Sequence, residues 1–281
     1  MAENLQLLKR RIKTAKNVAQ IAKAMEMMSA SKIKRAQKTV ESNKPYVKKI
    51  EEITSSLISQ TNKNTFHHPY IDGNESNKKL VIAISPDKGL CGSLNTNIFK
   101  KLLTVDTKEV KLVTIGKKVE RFAAKMSFDF VAAFPMGNTI PRYTNVYEMV
   151  KLIETFYNNG EVGSVDILFT EFHSFFQQTP VIKKLLPIDS TAFTENQGPF
   201  HLFEPNVPAL LETLLPQYIE MSIYSALLEA YTSEQVARMI AMQNAKTNAN
   251  DIASYLTLSY NKTRQEKITG EILDLTNSQQ A

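Results

Sequence analysis

The chain has 281 residues, 43% of them apolar, which is enough for one large domain or two modest ones with a sizeable core. Its net charge of +6 is uneven: residues 1–50 carry thirteen Lys or Arg against three Glu, so they are +10 and the remainder is −4. One cysteine, four histidines without metalloenzyme spacing and no apolar run of about 18–20 residues exclude a disulfide framework, a multi-cysteine metal site and a membrane-spanning helix.

A long amphipathic helix is predicted over residues 1–68, and its basic charge indicates an acidic or polyanionic partner. Its apolar residues recur with 3-4 spacing, which is typical of a coiled-coil seam. The spacing slips by one residue at Met25 and Met28, so we expect a local change of supercoil there. Pro45 is expected to kink or restart the helix. The seam residues are Leu5, Leu8, Ile12, Ala15, Ala19, Ala22, Ile33, Ala36, Val40, Val47, Ile50 and Leu57.

The middle of the chain, residues 77–190, is predicted to be an α/β domain. Every glycine except Gly270 lies between positions 73 and 198, so the helix-breaking residues are concentrated there. Apolar runs alternate with helical segments, which favours a mostly parallel sheet with helices on its faces. The predicted strands cover 80–84, 110–115, 128–134 and 165–172, with 179–186 as a further edge strand; the predicted helices cover 94–103, 117–125 and 143–157.

A second long helix is predicted over residues 208–276, since no Gly or Pro occurs between Gln217 and Thr269. Pro216 is expected to offset its first turns. The two terminal seams are expected to pack together, preferably antiparallel, and the longer helix would leave an overhang that another protein covers. The C-terminal seam consists of Met221, Tyr224, Leu228, Tyr231, Met239, Met242, Ala245, Ala249, Ile252, Leu256 and Tyr260.

The loop at residues 85–93, Ser-Pro-Asp-Lys-Gly-Leu-Cys-Gly-Ser, is the strongest candidate for a chemical site. Small residues and a lysine before a helix can hold a phosphate group. The loop matches neither GxGxxG nor GxxxxGK[ST], however, and Lys88 precedes its glycines, so a structural turn or a partner contact is favoured. Cys91 is expected to be a buried thiol because the chain has no second cysteine.

Two other classes of protein stay open at this point. One is a phosphate- or nucleotide-binding α/β enzyme with coiled-coil arms, which the loop at 85–93 would support. The other is a nucleic-acid-binding coiled coil, which the basic N-terminal helix would support. The first 45 residues contain no aromatic side chain on which a base could stack, and this argues against nucleic acid.

Four segments of the chain resemble ATP synthase gamma subunits. Residues 10–32 are similar to that family's N-terminal helix, residues 87–95 to its central motif, and residues 237–245 and 260–265 to its C-terminal signature. The motifs occur in family order and the similarity covers nearly the whole chain.

The resemblance implies a central rotor shaft and a non-catalytic subunit of a proton-translocating ATP synthase, with no cofactor, metal or catalytic residue of its own. Three alpha and three beta subunits would surround the coiled coil, while the epsilon subunit and the c-ring would contact the base; no nucleic acid is involved. The chain would be peripheral on the cytoplasmic face of a bacterial cell membrane, reaching the membrane only through partners, because the sequence shows no signal or transit peptide.

The resemblance also implies individual contact residues. Arg264, Gln265 and Thr269 align with hydrogen-bonding contacts to the surrounding ring, and Arg238 aligns with an arginine of the shaft. Met25 aligns with a position at which a cation impairs coupling. Asp87 and Lys88, in the central motif, are expected to contact a partner. Gly270 departs from the family pattern, so the last helical turn is expected to fray.

Overall fold

The computed structural model describes residues 5–60, 67–106, 109–126, 128–188, 204 and 206–278, apart from the side chains of 59–60 and 274–278. Across these ranges, no helix combines the length and hydrophobicity that a bilayer crossing requires, and no three His, Cys, Asp or Glu residues are grouped as metal ligands. The chain divides into two compact units. We call residues 31–237 the sheet unit, and residues 1–30 with 238–281 the two-helix unit.

A five-stranded sheet forms the centre of the sheet unit. Its strands are β1 (Lys79–Ile84), β2 (Val110–Ile115), β3 (Asp129–Phe134), β4 (Ser164–Phe172) and β5 (Gln178–Leu186). Their spatial order is β3-β2-β1-β4-β5, and all neighbours are parallel except the antiparallel pair β4–β5. The predicted mostly parallel sheet is confirmed, including the edge strand at its C-terminal end.

Helices cover both faces of this sheet. Alternate residues of β1 point to opposite faces, as the two-residue period of a strand requires. Leu80, Ile82 and Ile84 join one apolar cluster, whereas Val81 and Ala83 join the other. The helices of the chain are α1 (Leu5–Gln60), α2 (Pro69–Asp72), α3 (Leu94–Leu102), α4 (Lys117–Ala123), α5 (Tyr147–Asn158) and α6 (Val207–Ser278), with a 3₁₀ turn at Tyr143–Asn145. The predicted helices are therefore present, and α3 and α4 cover the Val81 face.

The terminal helices run antiparallel within the sheet unit. The Tyr224 hydroxyl of α6 interacts with Asn43 of α1, and Tyr218, earlier in α6, lies near Glu51, later in α1. Pro45 lies inside α1, so the prediction that the helix restarts there is wrong. Proline removes one backbone hydrogen bond, but packing of the neighbouring turns onto the apolar core, for example at Ile50, keeps the helix continuous.

Pro216 is likewise inside α6, nine residues after its first residue, Val207. At the other end, α6 continues through Gly270 to Ser278, so the predicted fraying at Gly270 is not observed. A glycine costs about 1 kcal/mol of helix stability relative to alanine, which a helix of 72 residues tolerates. The described part of α1 ends at Gln60, and residues 61–66 of the segment that the sequence predicted to be helical lie outside the described residues.

In the two-helix unit the seam of α1 continues without the predicted slip. After Ala22 the seam continues at the half-buried Glu26 and the buried Ser29, which keep the 3-4 spacing; Met25 beside it is half-buried and Met28 is 58% exposed. The predicted slip is wrong because the two seam positions here are polar. The apolar pattern in the sequence therefore pointed to the methionines that precede them. In α6, the predicted seam residue Ile252 is exposed, and the neighbouring Ala253 is buried instead. The prediction failed here because small residues, and not the large apolar ones, fill this seam.

Candidate partner-binding surfaces

A second, exposed apolar row lies beside the seam of α1. It consists of Val18, Ile21, Met25 and Met28, each one position before a seam residue, and we call it the α1 stripe. Val18, Ile21 and Met28 are 46%, 61% and 58% exposed, while Met25 is half-buried. Large apolar side chains arranged in a row at the surface indicate an interaction site more strongly than scattered ones do. Of these four residues, the sequence pattern had singled out only the two methionines.

The α1 stripe borders a shallow groove of about 500 Å³ between α1 and α6 in the two-helix unit. Val18 from α1 and Ile252 from α6 line its walls, with Ala15 and Ala249 between them. Arg10 and Arg11 also line it, so apolar surface and positive charge are adjacent. A partner side chain with an apolar body and an acidic group nearby would complement this groove.

The two-helix unit is strongly basic. Its described residues, 5–30 and 238–278, contain eleven Lys or Arg against five Asp or Glu, a net charge of +6. The sequence had located the excess charge in the first fifty residues; the structure adds the cations of α6, because both helices belong to one unit. Such a field attracts acidic surfaces over a distance of about a Debye length.

One ion pair lies in the seam of this unit. The Lys246 ammonium is 2.7 Å from the Glu26 carboxylate, and the two side chains are only 29% and 21% exposed. Glu26 is adjacent to Met25, so the pair shows which part of α6 lies beside the predicted contact residue. Residue patterns in either helix alone do not reveal this pair, since 220 residues separate its partners.

Three of the predicted contact residues lie near the C-terminal end of α6. Arg264, Gln265 and Thr269 are all exposed, and the Thr269 hydroxyl donates a 2.9 Å hydrogen bond to the Gln265 carbonyl oxygen within the helix. Arg264 is eighteen residues beyond Lys246, which is about 27 Å along a helix. Met25 and the Arg264 group therefore mark two separate levels of the unit.

Arg238 differs from the other predicted contact residues. It is 8% exposed, whereas Arg264 and Gln265 are open to solvent. A buried arginine needs hydrogen-bonding or ionic partners, and Arg238 has them within this chain. Its side chain is therefore packed within the fold and is not presented at the surface.

The loop between β1 and α3 is fixed by Asp87. The Asp87 carboxylate accepts hydrogen bonds of 2.9 Å from the backbone N–H groups of Lys117 and Gly137, and a longer one of 3.4 Å from that of Met136. These donors belong to the loops that follow β2 and β3. Asp87 thus joins three neighbouring strand ends, and its negative charge occupies the amino end of α4.

Other groups of the chain also occupy the amino end of α4. The Ser85 hydroxyl accepts a 2.9 Å hydrogen bond from the Val119 N–H, which is a second donor of α4. A Cβ atom at Gly116 would lie 1.9 Å from the Ser85 carbonyl oxygen, so the two loops touch. Beyond the carboxyl end of β4, the Ser233 hydroxyl of α6 donates to the Thr170 carbonyl oxygen at 3.1 Å. Doubly wound sheets bind nucleotides in this crevice, which here holds the protein's own side chains.

The outer part of the same loop is exposed. Lys88 is exposed, and Leu90 is 63% exposed with a φ of +62°, a left-handed conformation that is unfavourable for leucine. An apolar side chain held outward on a strained backbone indicates a contact residue, which sequence patterns did not identify. Cys91 next to it is 1% exposed and accepts a hydrogen bond from the Asn95 amide at 3.2 Å, so the predicted buried thiol is confirmed.

Comparison with known proteins gives one consistent result. A family model described as ATP synthase matches residues 4–281. The ATP synthase gamma chain of Dehalococcoides mccartyi strain BAV1 is 38% identical over 97% of this chain and 96% of its own length. The ATP synthase gamma chain of Desulforamulus reducens is 35% identical, with 95% of each chain covered.

Solved structures show the same fold. A chain in the Euglena gracilis mitochondrial ATP synthase, in a structure of OSCP, F1 and c-ring, matches with a TM-score of 0.71 at 18% identity, covering 98% of this chain and 93% of that one. A chain in the central stalk and c-ring of the Tetrahymena thermophila mitochondrial ATP synthase matches with a TM-score of 0.59 at 22% identity. The second match covers 80% of this chain and 99% of that one.

Proposed function

This chain belongs to the ATP synthase gamma chain family, and from that premise we propose how its residues perform the role of central rotor shaft. It is a non-catalytic subunit: ATP is made or hydrolysed in the beta subunits that surround it. Its partners are the alpha and beta subunits, the epsilon subunit and the c-ring. The phosphate-binding enzyme is not favoured, since the family model is that of ATP synthase and the relatives matched over nearly the whole chain are gamma chains.

The observation that carries the proposal is the surface of the two-helix unit. A pair of antiparallel helices with a net charge of +6 and an exposed α1 stripe has the features of a surface that is covered in an assembly. Enclosed by alpha and beta subunits, the unit would bury its apolar row and meet acidic groups. Because its faces differ, each orientation would favour a different conformation of each beta subunit, which is coupling free energy between the shaft and the catalytic sites.

Within this role we propose two levels of contact in the two-helix unit. Arg264, Gln265 and Thr269 would form hydrogen bonds and ion pairs with the ring near the end of α6. Met25 would contact the ring about 27 Å away, measured along the helix. Arg238, which is buried, would contribute by holding the local helix geometry and not by direct contact.

In the sheet unit we propose that the loop at 85–93 contacts a partner subunit. Lys88 and Leu90 would form the contact itself, because both are exposed. Asp87 would hold the loop in place through its bonds to Lys117 and Gly137. We also propose that the complex lies on the cytoplasmic face of a bacterial cell membrane, where this chain associates with the membrane through its partners.

Single-molecule rotation tests the proposal. A complex of alpha, beta and this chain is fixed to a surface through its beta subunits, and a bead is attached to a cysteine that replaces the exposed Lys100. Addition of ATP should turn the bead in one direction, with three pauses per revolution, one for each beta subunit. A complex that hydrolyses ATP while the bead only fluctuates would refute the rotor role.

Paired substitutions test the proposed contacts. Arg264→Ala with Gln265→Ala should lower the stalling torque and the ATP-driven rate, because both hydrogen-bonding side chains are lost. Lys262→Ala, with an equally exposed cation on the same helix, is the matched control. An equal loss of torque and rate in the double variant and the control would mean that total charge determines the effect, and that the proposed contacts do not.

A further inference from the structure

A second cavity lies in the sheet unit, and its lining shares no residue with the contact surfaces described above. It has a volume of about 690 Å³ and is enclosed by α1, α6 and the end of β4. This volume falls within the range of roughly 300–1,000 Å³ that is usual for small-molecule sites. The rotor role does not account for it.

The cavity is elongated. Its α1 wall runs from Gln37 to Glu51, fourteen residues, which is about 21 Å at 1.5 Å per residue. A cavity elongated in this way suits a ligand whose chain lies along α1.

Apolar side chains form a continuous lining along the cavity. Val40 and Val47 contribute from α1, Leu228 and Tyr224 from α6, and Phe172 from the end of β4. Transfer of a hydrocarbon chain from water onto such a lining is favourable by about 25 cal/mol for each Å² of apolar surface that is buried. The lining therefore suits a linear aliphatic ligand.

The charge of the lining determines which polar head group a ligand of this cavity would carry. Four carboxylates line the cavity against two lysines, and the Lys48 ammonium lies 3.8 Å from Glu52, outside the lining. Lys183, beside the cavity, is 2.8 Å from Glu171 and is engaged with it. The four carboxylates are Glu41, Glu51, Glu171 and Glu229, and the lysines are Lys44 and Lys48.

Two of these carboxylates have raised pKa values. Burial raises the pKa of the half-buried Glu229, and the attraction of Lys183 and the backbone N–H of Phe172 offset this only in part. Burial also raises the pKa of Glu51, although its residue is exposed overall, and the attraction of Lys183 acts against this. The same lysine already binds Glu171. An additional cation beside either carboxylate would favour its charged form.

We propose that this cavity binds a linear aliphatic amine, with its ammonium group at Glu51 or Glu229 and its hydrocarbon chain along Val40, Val47 and Leu228. Charge complementarity selects the amine over the corresponding acid or alcohol, and the elongated lining along α1 suits a linear chain. The site is separate from the loop at 85–93 and from the α1 stripe. Its occupancy does not depend on the rotor role.

The test measures binding of n-octylamine by isothermal titration calorimetry to the assembled complex of alpha, beta and this chain. Octanoate and octan-1-ol are the controls, since they share the hydrocarbon chain and differ in the head group. The amine should bind saturably and the acid should not. The double variant Glu51→Gln/Glu229→Gln should weaken amine binding roughly tenfold or more, as expected for loss of a charge-assisted hydrogen bond.

Two further variants separate the cavity from other amine sites in the complex. Glu148→Gln removes an exposed carboxylate of α5 that does not line the cavity, and amine binding should be unchanged. Ser225→Trp fills the cavity from α6 without changing any charge, and amine binding should be lost while assembly and ATP hydrolysis persist. Unchanged binding in the Ser225 variant, or in the double glutamine variant, would overturn the proposal, as would equal binding of amine and acid.

Discussion

The ion pair between Glu26 and Lys246 should set the register of the two-helix unit. The seam around it is built of alanines, which are nearly equivalent to one another and therefore specify an alignment poorly. A charged pair inside a coiled-coil seam favours the one alignment in which the two groups meet. The perturbation is Glu26→Met and Lys246→Met, singly and together, which keeps the length of each side chain and removes its charge. The seam alanines are Ala15, Ala19, Ala22, Ala249 and Ala253.

The magnitude follows from the position of the pair. At 2.7 Å, with side chains 21% and 29% exposed, it lies between a surface pair and a buried one. Exposed pairs contribute about 0.2–1 kcal/mol, whereas removal of one partner of a buried pair costs about 3–5 kcal/mol. We expect each single variant to lose about 1–2 kcal/mol. The double variant should be close to the wild type, because methionines pack well and no charge is left unpaired.

Urea denaturation of the four proteins, followed by circular dichroism, gives the coupling energy as a double-mutant cycle. A coupling energy below about 0.3 kcal/mol would refute the interpretation, since the pair would then behave as an ordinary surface contact. Register is measured separately by cysteines at Ala19 and Ala253, which face each other in the alignment set by Glu26 and Lys246. Their disulfide should form readily with the pair present and less completely in the double methionine variant, even if its stability is unchanged.

The other predictions concern coupling, pH and backbone conformation. Met25→Lys should preserve ATP hydrolysis and lower the protons pumped per ATP in reconstituted vesicles; unaltered pumping would count against the proposed contact. Burial raises the pKa of Glu229 in the folded chain, so the folded chain loses stability as pH rises through that pKa; Glu229→Gln should therefore raise the melting temperature near pH 8 and leave it unchanged near pH 4. Gly116→Ala should cost about 3 kcal/mol or more, from the clash with Ser85 and a φ of +99°, whereas Gly92→Ala, with open space around it, should cost about 1–2 kcal/mol.

Much of the fold was predictable from the sequence because the signals are local. The strand β1 is a continuous apolar run, which is typical of a strand buried on both faces, and the glycines between 73 and 198 separate it from the helices. The two long helices follow from 3-4 spacing and from the scarcity of Gly and Pro. These features depend on neighbouring residues only, so they can be read without any knowledge of tertiary contacts.

The details of the seam were not predictable in the same way. The sequence places Met25 and Met28 in the seam because they are apolar, yet Glu26 and Ser29 occupy it. A glutamate is stable there only because Lys246 lies opposite, and this contact joins residues that are 220 positions apart. Likewise, the φ of +62° at Leu90 comes from the way the loop closes onto its neighbours and leaves no mark in the local sequence.

The residues of the two-helix unit also limit the kind of contact that a rotating shaft can make. A deep pocket filled by one aromatic anchor would give a single very stable orientation, because such contacts carry most of the binding energy of an interface. The α1 stripe instead presents Val18, Ile21 and Met28 in a shallow row, and methionine adapts to different surroundings at little cost. The positive charge acts over a longer range and depends less on orientation. In the proposed role, contacts of this kind would hold the shaft within its ring in every orientation, while a few directional groups such as Arg264 would distinguish one orientation from the next.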